Sequence, residues 1–118
     1  MRQAYINRVV KTEPATPGHY FYDERVAPGK ILELKNLCAT FSGLATTEEV
    51  QFFVEDGGVK KFLGEDFALV AGGYPHWEGS VSIGEGDRAG VYIPDSAADD
   101  VISFYIFGEL WDVVDWRS

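Results

Sequence analysis

Glu49-Val50-Gln51-Phe52-Phe53-Val54-Glu55, followed at once by Asp56-Gly57-Gly58, is the stretch on which the fold turns. Val50, Phe52 and Val54 alternate with Gln51 and Glu55, the period of a strand with one face in a core. Asp56-Gly57-Gly58 supplies residues that adopt positive φ at little steric cost, as a tight hairpin requires. The order strand, turn, strand recurs downstream. Trp77-Glu78-Gly79-Ser80-Val81-Ser82-Ile83 puts Trp77, Val81 and Ile83 on one side, Gly84-Glu85-Gly86-Asp87 turns the chain, and Ala89-Gly90-Val91-Tyr92-Ile93 follows. Asp100-Val101-Ile102-Ser103-Phe104-Tyr105-Ile106-Phe107-Gly108 is apolar on both faces, as a central or subunit-contact strand is. Upstream, Leu32, Leu34 and Cys38 share one parity, and Lys30 and Asn36 on the same parity depart from its apolar pattern.

Segments of this kind fall at 4–11, 30–42, 48–55, 59–63, 66–71, 77–83, 89–93 and 100–109, with turn residues every 8 to 12 positions and no amphipathic helix between them. The spacing predicts an all-β fold, a single-domain antiparallel β-sandwich, and the strand count is that of a jelly roll. The run His19-Tyr20-Phe21-Tyr22 fits either a ninth strand or a loop packed on the body, and periodicity does not decide between them.

At 118 residues, 46% hydrophobic and 14% aromatic, the chain has the size of one domain and the apolar mass for one core. Its longest apolar runs, such as Phe67-Ala68-Leu69-Val70-Ala71, fall far short of the ~20 residues of a membrane-spanning helix, so no membrane partner is expected. Charge interrupts the first eleven residues, so no secretory signal is expected there. The formal charge of −9 is unevenly spread. Residues 1–40 carry six basic and four acidic side chains, and residues 41–118 carry four basic and fifteen acidic ones. An acidic body repels phosphate backbones, so nucleic acid is not expected as a ligand. The single Cys38 closes no internal disulfide and reads as a small buried hydrophobe.

The Pro/Gly/Thr-rich connector Lys11 to Gly18 cannot be a central strand, which makes the preceding residues an arm or an edge strand. The expected organisation is an N-terminal arm and connector at 1–18, a β-sandwich at 19–110 and a C-terminal tail at 111–118. That tail carries Trp111 and Trp116 where chains are usually polar, and such rings need something to cover them.

Chemistry is sparse. Two histidines, His19 and His76, fall short of a metal site of the three-histidine kind, and no cofactor is expected. Glu85, Asp87 and Asp95 offer oxygen to Ca²⁺ but lack an EF-hand spacing. Adjacent carboxylates on a strand point to opposite faces, and no nucleophile elbow accompanies any serine. An enzyme is therefore not expected. The one polar-aromatic cluster, Tyr74, His76 and Trp77, reads either as a sugar-stacking platform or as a loop whose Trp77 plugs the sandwich.

What remains is a compact acidic β-domain with an arm, an apolar last strand and a tryptophan-bearing tail. It resembles the small jelly-roll decoration (cement) proteins of tailed-phage heads. The resemblance runs from Pro28-Gly29-Lys30-Ile31-Leu32-Glu33-Leu34 through Thr47 to Gly58, Ala71-Gly72-Gly73, Trp77-Glu78-Gly79 and Gly86-Asp87 to Asp100–Glu109, as a pattern and not a motif. It implies a virion structural protein on the outer capsid surface, assembled in the host cytoplasm. The implied unit is a homotrimer that clamps a lattice of major capsid protein. Interface candidates are Arg2, Arg8, Tyr105, Phe107, Trp111 and Trp116. The alternative function is a glycan-binding or host-attachment module centred on Tyr74, His76 and Trp77.

Overall fold

The computed structural model describes residues 2–14, 20–44, 48–68, 70–71, 73–94 and 96–115. Its strands are β1 (Arg2–Thr12), β2 (Tyr20–Tyr22), β3 (Lys30–Phe41), β4 (Glu49–Asp56), β5 (Val59–Phe67), β6 (His76–Ile83), β7 (Arg88–Tyr92) and β8 (Val101–Asp112), followed by a 3₁₀ turn at Val113–Asp115. They form two four-stranded antiparallel sheets, a front sheet β1-β8-β3-β6 and a back sheet β2-β7-β4-β5. The first strand lies beside the last, the second beside the seventh, the third beside the sixth and the fourth beside the fifth. One long hairpin wound into two sheets in this order is a jelly roll.

The core is the space between the sheets. Leu32, Leu34, Leu37 and Phe41 of β3 and Ile102, Phe104 and Ile106 of β8 face Val50, Phe52 and Val54 of β4 and Ala89 and Val91 of β7. Phe52 and Phe104 meet across the layers with ring centroids 6.5 Å apart. The turn after β4 forms as its glycines dictate, with φ of 59° at Gly57 and 82° at Gly58.

Two β-bulges explain where the structure departs from the sequence pattern. Between Phe52 and Phe53 the register shifts so that Phe52 pairs with Gly64 and Phe53 with Phe62, leaving Leu63 as an extra residue. A bulge reverses side-chain parity, so 59–63 and 66–71 read as two strands where the chain has one, β5. The place of the missing strand is taken by Tyr20–Tyr22. A second shift, between Leu34 and Asn36, leaves Lys35 extra on β3. Past it Leu37, Ala39 and Phe41 turn inward and Cys38 turns outward. Cys38 is therefore half-buried on an outer face, not a core residue sharing a side with Leu32 and Leu34.

The boundaries are corrected too. Of the arm and the edge strand expected for the first residues, the structure has the edge strand: all eleven positions of β1 pair with β8 without a register shift. The connector after them breaks the strand but does not detach it. Glu13 holds the junction, its backbone N–H donating to the Asp100 carbonyl at 2.8 Å and its buried carboxylate accepting from the Ser96 hydroxyl at 2.7 Å. At the other end, Trp111 belongs to β8, opposite Ile31 of β3, and not to a tail. Trp77 faces inward beside the core. A Cβ on Gly79 would lie 2.7 Å from its ring and one on Gly64 3.5 Å, so both glycines make room for the indole.

Gly108 sits opposite Leu34, next to the β3 bulge, where a Cβ would meet the Glu33 carbonyl oxygen at 2.3 Å. The clash is with backbone and cannot relax by a rotamer change. Gly108→Ala is expected to destabilise the fold by about 3 kcal/mol. Gly84→Ala, with nothing within 4 Å of the added methyl, is the control. Thermal melts of the two variants that coincide would refute this packing of β3 on β8.

Candidate functional site

β8 is hydrogen-bonded on both edges and apolar on both faces. Its inward side chains feed the core, so Tyr105, Phe107 and Trp111, of the opposite parity, stand on the outer face of the front sheet. The β1 register sets Arg8 opposite Tyr105, Ile6 opposite Phe107 and Arg2 opposite Trp111. Each arginine lies over its ring: Arg8 is 5.5 Å from the Tyr105 centroid and Arg2 5.3 Å from that of Trp111. Such contacts contribute roughly 0.5–1 kcal/mol at exposed sites. Arg2 also pairs with Glu109 at 3.5 Å. Between the two arginines Ile6 is 71% exposed, the largest uncovered aliphatic side chain of the strand, and Val10 and Val101 extend the apolar band.

Five of the six interface candidates thus converge on one face, although they come from opposite ends of the chain. The sixth, Trp116, lies outside the described residues. Tyr74 joins them, packing edge-on against Tyr105 with centroids 5.8 Å apart. On β3, Glu33 accepts from the Lys35 ammonium at 2.8 Å and the Ser80 hydroxyl at 2.9 Å. These donors, Lys35 first, hold its carboxyl below the usual range. At the strand ends the Lys30 ammonium pairs with Asp112 and lowers its pKa to about 2.

Of the two readings of Tyr74, His76 and Trp77, the geometry has Trp77 against the core, as the plug requires. Trp77 and His76 are neighbours on β6 and therefore point to opposite faces. Tyr74 and His76 are outside, and the indole is inside against the core. The His76 ring lies 3.7 Å from Asp66 and 3.8 Å from Glu78. The β3–β6 register also brings Cys38 opposite His76, an adjacency that the 37 intervening residues conceal in the sequence. Burial pushes the Cys38 thiol up, the reverse of what a thiolate nucleophile needs.

Of the candidate calcium ligands, Asp87 is engaged as a turn staple, accepting from the backbone N–H of Gly84 at 3.2 Å and of Gly57 at 3.3 Å. Asp95 lies outside the described residues. Among the described residues no three His, Cys, Asp or Glu side chains gather as metal ligands do.

Sequence reasoning missed a second aromatic cluster, on the outer face of the back sheet. Phe53 is fully buried there, under Tyr20 and Tyr22, each 5.6 Å away edge-on, and Phe62 at 5.4 Å. Gly90 makes the floor: a Cβ on it would come within 2.3 Å of the Phe53 ring. Arg88 caps Tyr22 at 3.6 Å and Lys60 caps Tyr20 at 4.6 Å. Arg88 and Arg25 reach Glu55 at 3.0 and 3.4 Å and hold its carboxyl low, the Arg88 hydrogen bond acting most. The available signal was the doublet Phe52-Phe53, since two adjacent strand residues cannot both face the core.

No family model matches the chain, and neither does any curated protein. Solved structures match it at low identity. The Drosophila NLP core, a protein described in terms of pentamer formation and histone binding, is 16% identical over 91% of this chain and 98% of that one, with a TM-score of 0.49. A Bacillus endospore-appendage pilus protein is 15% identical over 95% and 88%, with a TM-score of 0.44. The SPBc2 prophage-derived protein YomS is 12% identical over 87% and 95%, with a TM-score of 0.39.

The Lys30–Asp112 pair gives a pH signature. A carboxyl with a lowered folded-state pKa stabilises the fold above its ordinary range, near pH 4, and ceases to as the pH falls through the folded value of about 2. In denaturant melts, Lys30→Met is expected to be less stable than wild type at pH 7, with the difference shrinking by pH 2. An equal difference at both values would mean that Lys30 acts through its alkyl stem alone.

Proposed function

We propose that the chain is a structural protein that docks on other protein subunits through the outer face of its front sheet, in the role of a decoration protein on a tailed-phage head lattice. The convergence of Arg2, Arg8, Tyr105, Phe107 and Trp111 around the exposed Ile6 carries this reading. Aromatic and arginine side chains around an apolar centre are the composition of interface hot spots, and two arginines at the margin favour a partner with carboxylates there. The rest of the chain is acidic, so this is the face least repelled by an acidic lattice. The homotrimer implied by the sequence resemblance is then an arrangement of docked copies where lattice subunits meet. Of the rings in the alternative glycan reading, Tyr74 and His76 are exposed, whereas Trp77 packs against the core.

Co-sedimentation with purified tailed-phage heads stripped of their decoration tests the proposal. Ile6→Asp combined with Arg8→Glu changes two exposed side chains, so the melting temperature is expected to hold while head binding weakens at least tenfold, about 1.4 kcal/mol or more. Wild type that fails to bind the heads, or a double variant that binds equally well, overturns it. Loss of binding in Tyr74→Ala alone, reversed by free sugar, would favour the glycan reading.

A further inference from the structure

The two sheets have four edges, and three are closed in ways that discourage strand addition. β2 offers only three residues. β5 carries the Leu63 bulge and two adjacent lysines, Lys60 and Lys61. At the start of β6 the His76 backbone N–H is taken by Asp66 at 2.9 Å. β1 is different. It is eleven residues long, contains neither glycine nor proline, and pairs with β8 without a shift. Alternate residues of an antiparallel strand direct their backbone groups away from the partner strand, so one side of β1 presents a row of N–H and C=O groups.

We propose that this edge pairs with β1 of a second copy, antiparallel and about a two-fold axis at Asn7, joining the two front sheets into one continuous sheet. The choice of occupant rests on charge and register. A two-fold axis perpendicular to the sheet keeps the outer faces together, so each even-numbered residue must meet an even-numbered one. Centring the pair on Arg8 sets that arginine against itself, and centring it on Tyr5 sets Arg2 against Arg8, both destabilising. Centring it on Asn7 uses the whole strand. Ile6 then faces Arg8, Ala4 faces Val10, Arg2 faces Thr12 and Gln3 faces Lys11, with no like-charge pair. The positive charges that protect an edge against other strands therefore leave this register open. Beside the edge runs a groove of about 330 Å³ lined by β1 residues, including Arg8 and Lys11, and by Asp23 and Glu24. Asp23 is buried and held by Tyr5 and Asn7, but Glu24 is exposed, so a two-fold axis can set Glu24 against a basic side chain of the other copy.

The pairing rests on the β1 edge alone and is tested on the free protein, so its failure and that of the lattice reading are separable. Sedimentation of wild type at micromolar concentration is expected to give twice the mass of the chain. In a Cys38→Ser background, mixing Ile6→Cys with Arg8→Cys protein under mild oxidation is expected to give a disulfide-linked dimer, while neither variant alone cross-links appreciably. Both changes are at exposed positions, so folding is not at risk. A monomer, a trimer without the mixed cross-link, or efficient cross-linking of Ile6→Cys to itself, each overturns the proposed pairing.

Discussion

The structure depends on one strand being apolar on both sides. β8 is paired along nearly its full length to β1 on one edge and β3 on the other, and its alternate residues Ile102, Phe104 and Ile106 close the core. A strand at the centre of a sheet cannot be moved to improve its outer face without losing its inner one, because the side-chain period is two. Tyr105, Phe107 and Trp111 are consequently held on the outside by the same register that fixes the core. A docking surface of the proposed kind, built on a doubly paired strand, would lose little conformational freedom on binding.

The two outer faces solve the same problem differently. On the back sheet the outward Phe53 is sealed by Tyr20, Tyr22 and Phe62, and Arg88 and Lys60 sit on the tyrosines. That cluster also explains how β2, with only three residues, stays in place, since two of the three carry rings that cover Phe53. On the front sheet the arginines lie over Tyr105 and Trp111, but Ile6 remains exposed among the described residues. One face is a small second core completed by its own residues, and the other stops short of completion.

Much of this was legible beforehand, for definite reasons. The hairpin at Asp56-Gly57-Gly58 could be read because glycine geometry is local. The two-faced β8 could be read because apolar residues on both parities have few explanations. The interface candidates from the two ends of the chain were legible as types, while their convergence was not, because nothing local encodes the β1–β8 register. What misled was parity. The bulges at Lys35 and Leu63 each reverse it midway through a strand, which moved Cys38 to the wrong face and split β5 in two. Trp77 was ambiguous for a related reason: an aromatic residue at a strand entry fits either face until the neighbouring strand is known. Tyr20–Tyr22 escaped assignment because its pairing partner, β7, lies some seventy residues away.

Polar residues at the margins follow the same logic as the apolar ones. Asp23 is buried, yet its two oxygens accept from the Tyr5 hydroxyl at 2.9 Å and the Asn7 amide at 2.6 Å, so the inward side of β1 is polar where the sandwich opens. Burial, reinforced by the Asp23 charge, pushes the Tyr5 phenol up and keeps it a donor. A buried polar group is tolerated only when its hydrogen bonds are made, and these bonds fix β1 from beneath, independently of its backbone pairing to β8. The strand that carries Arg2, Ile6 and Arg8 is thereby anchored on one edge and on its inner face. Only its outer face and its free edge remain for partners, and the two are chemically distinct: the face offers rings, aliphatic surface and guanidinium groups, whereas the edge offers backbone. Recognition of another protein's surface and pairing with a like strand can therefore proceed on the same eleven residues without competing for the same groups.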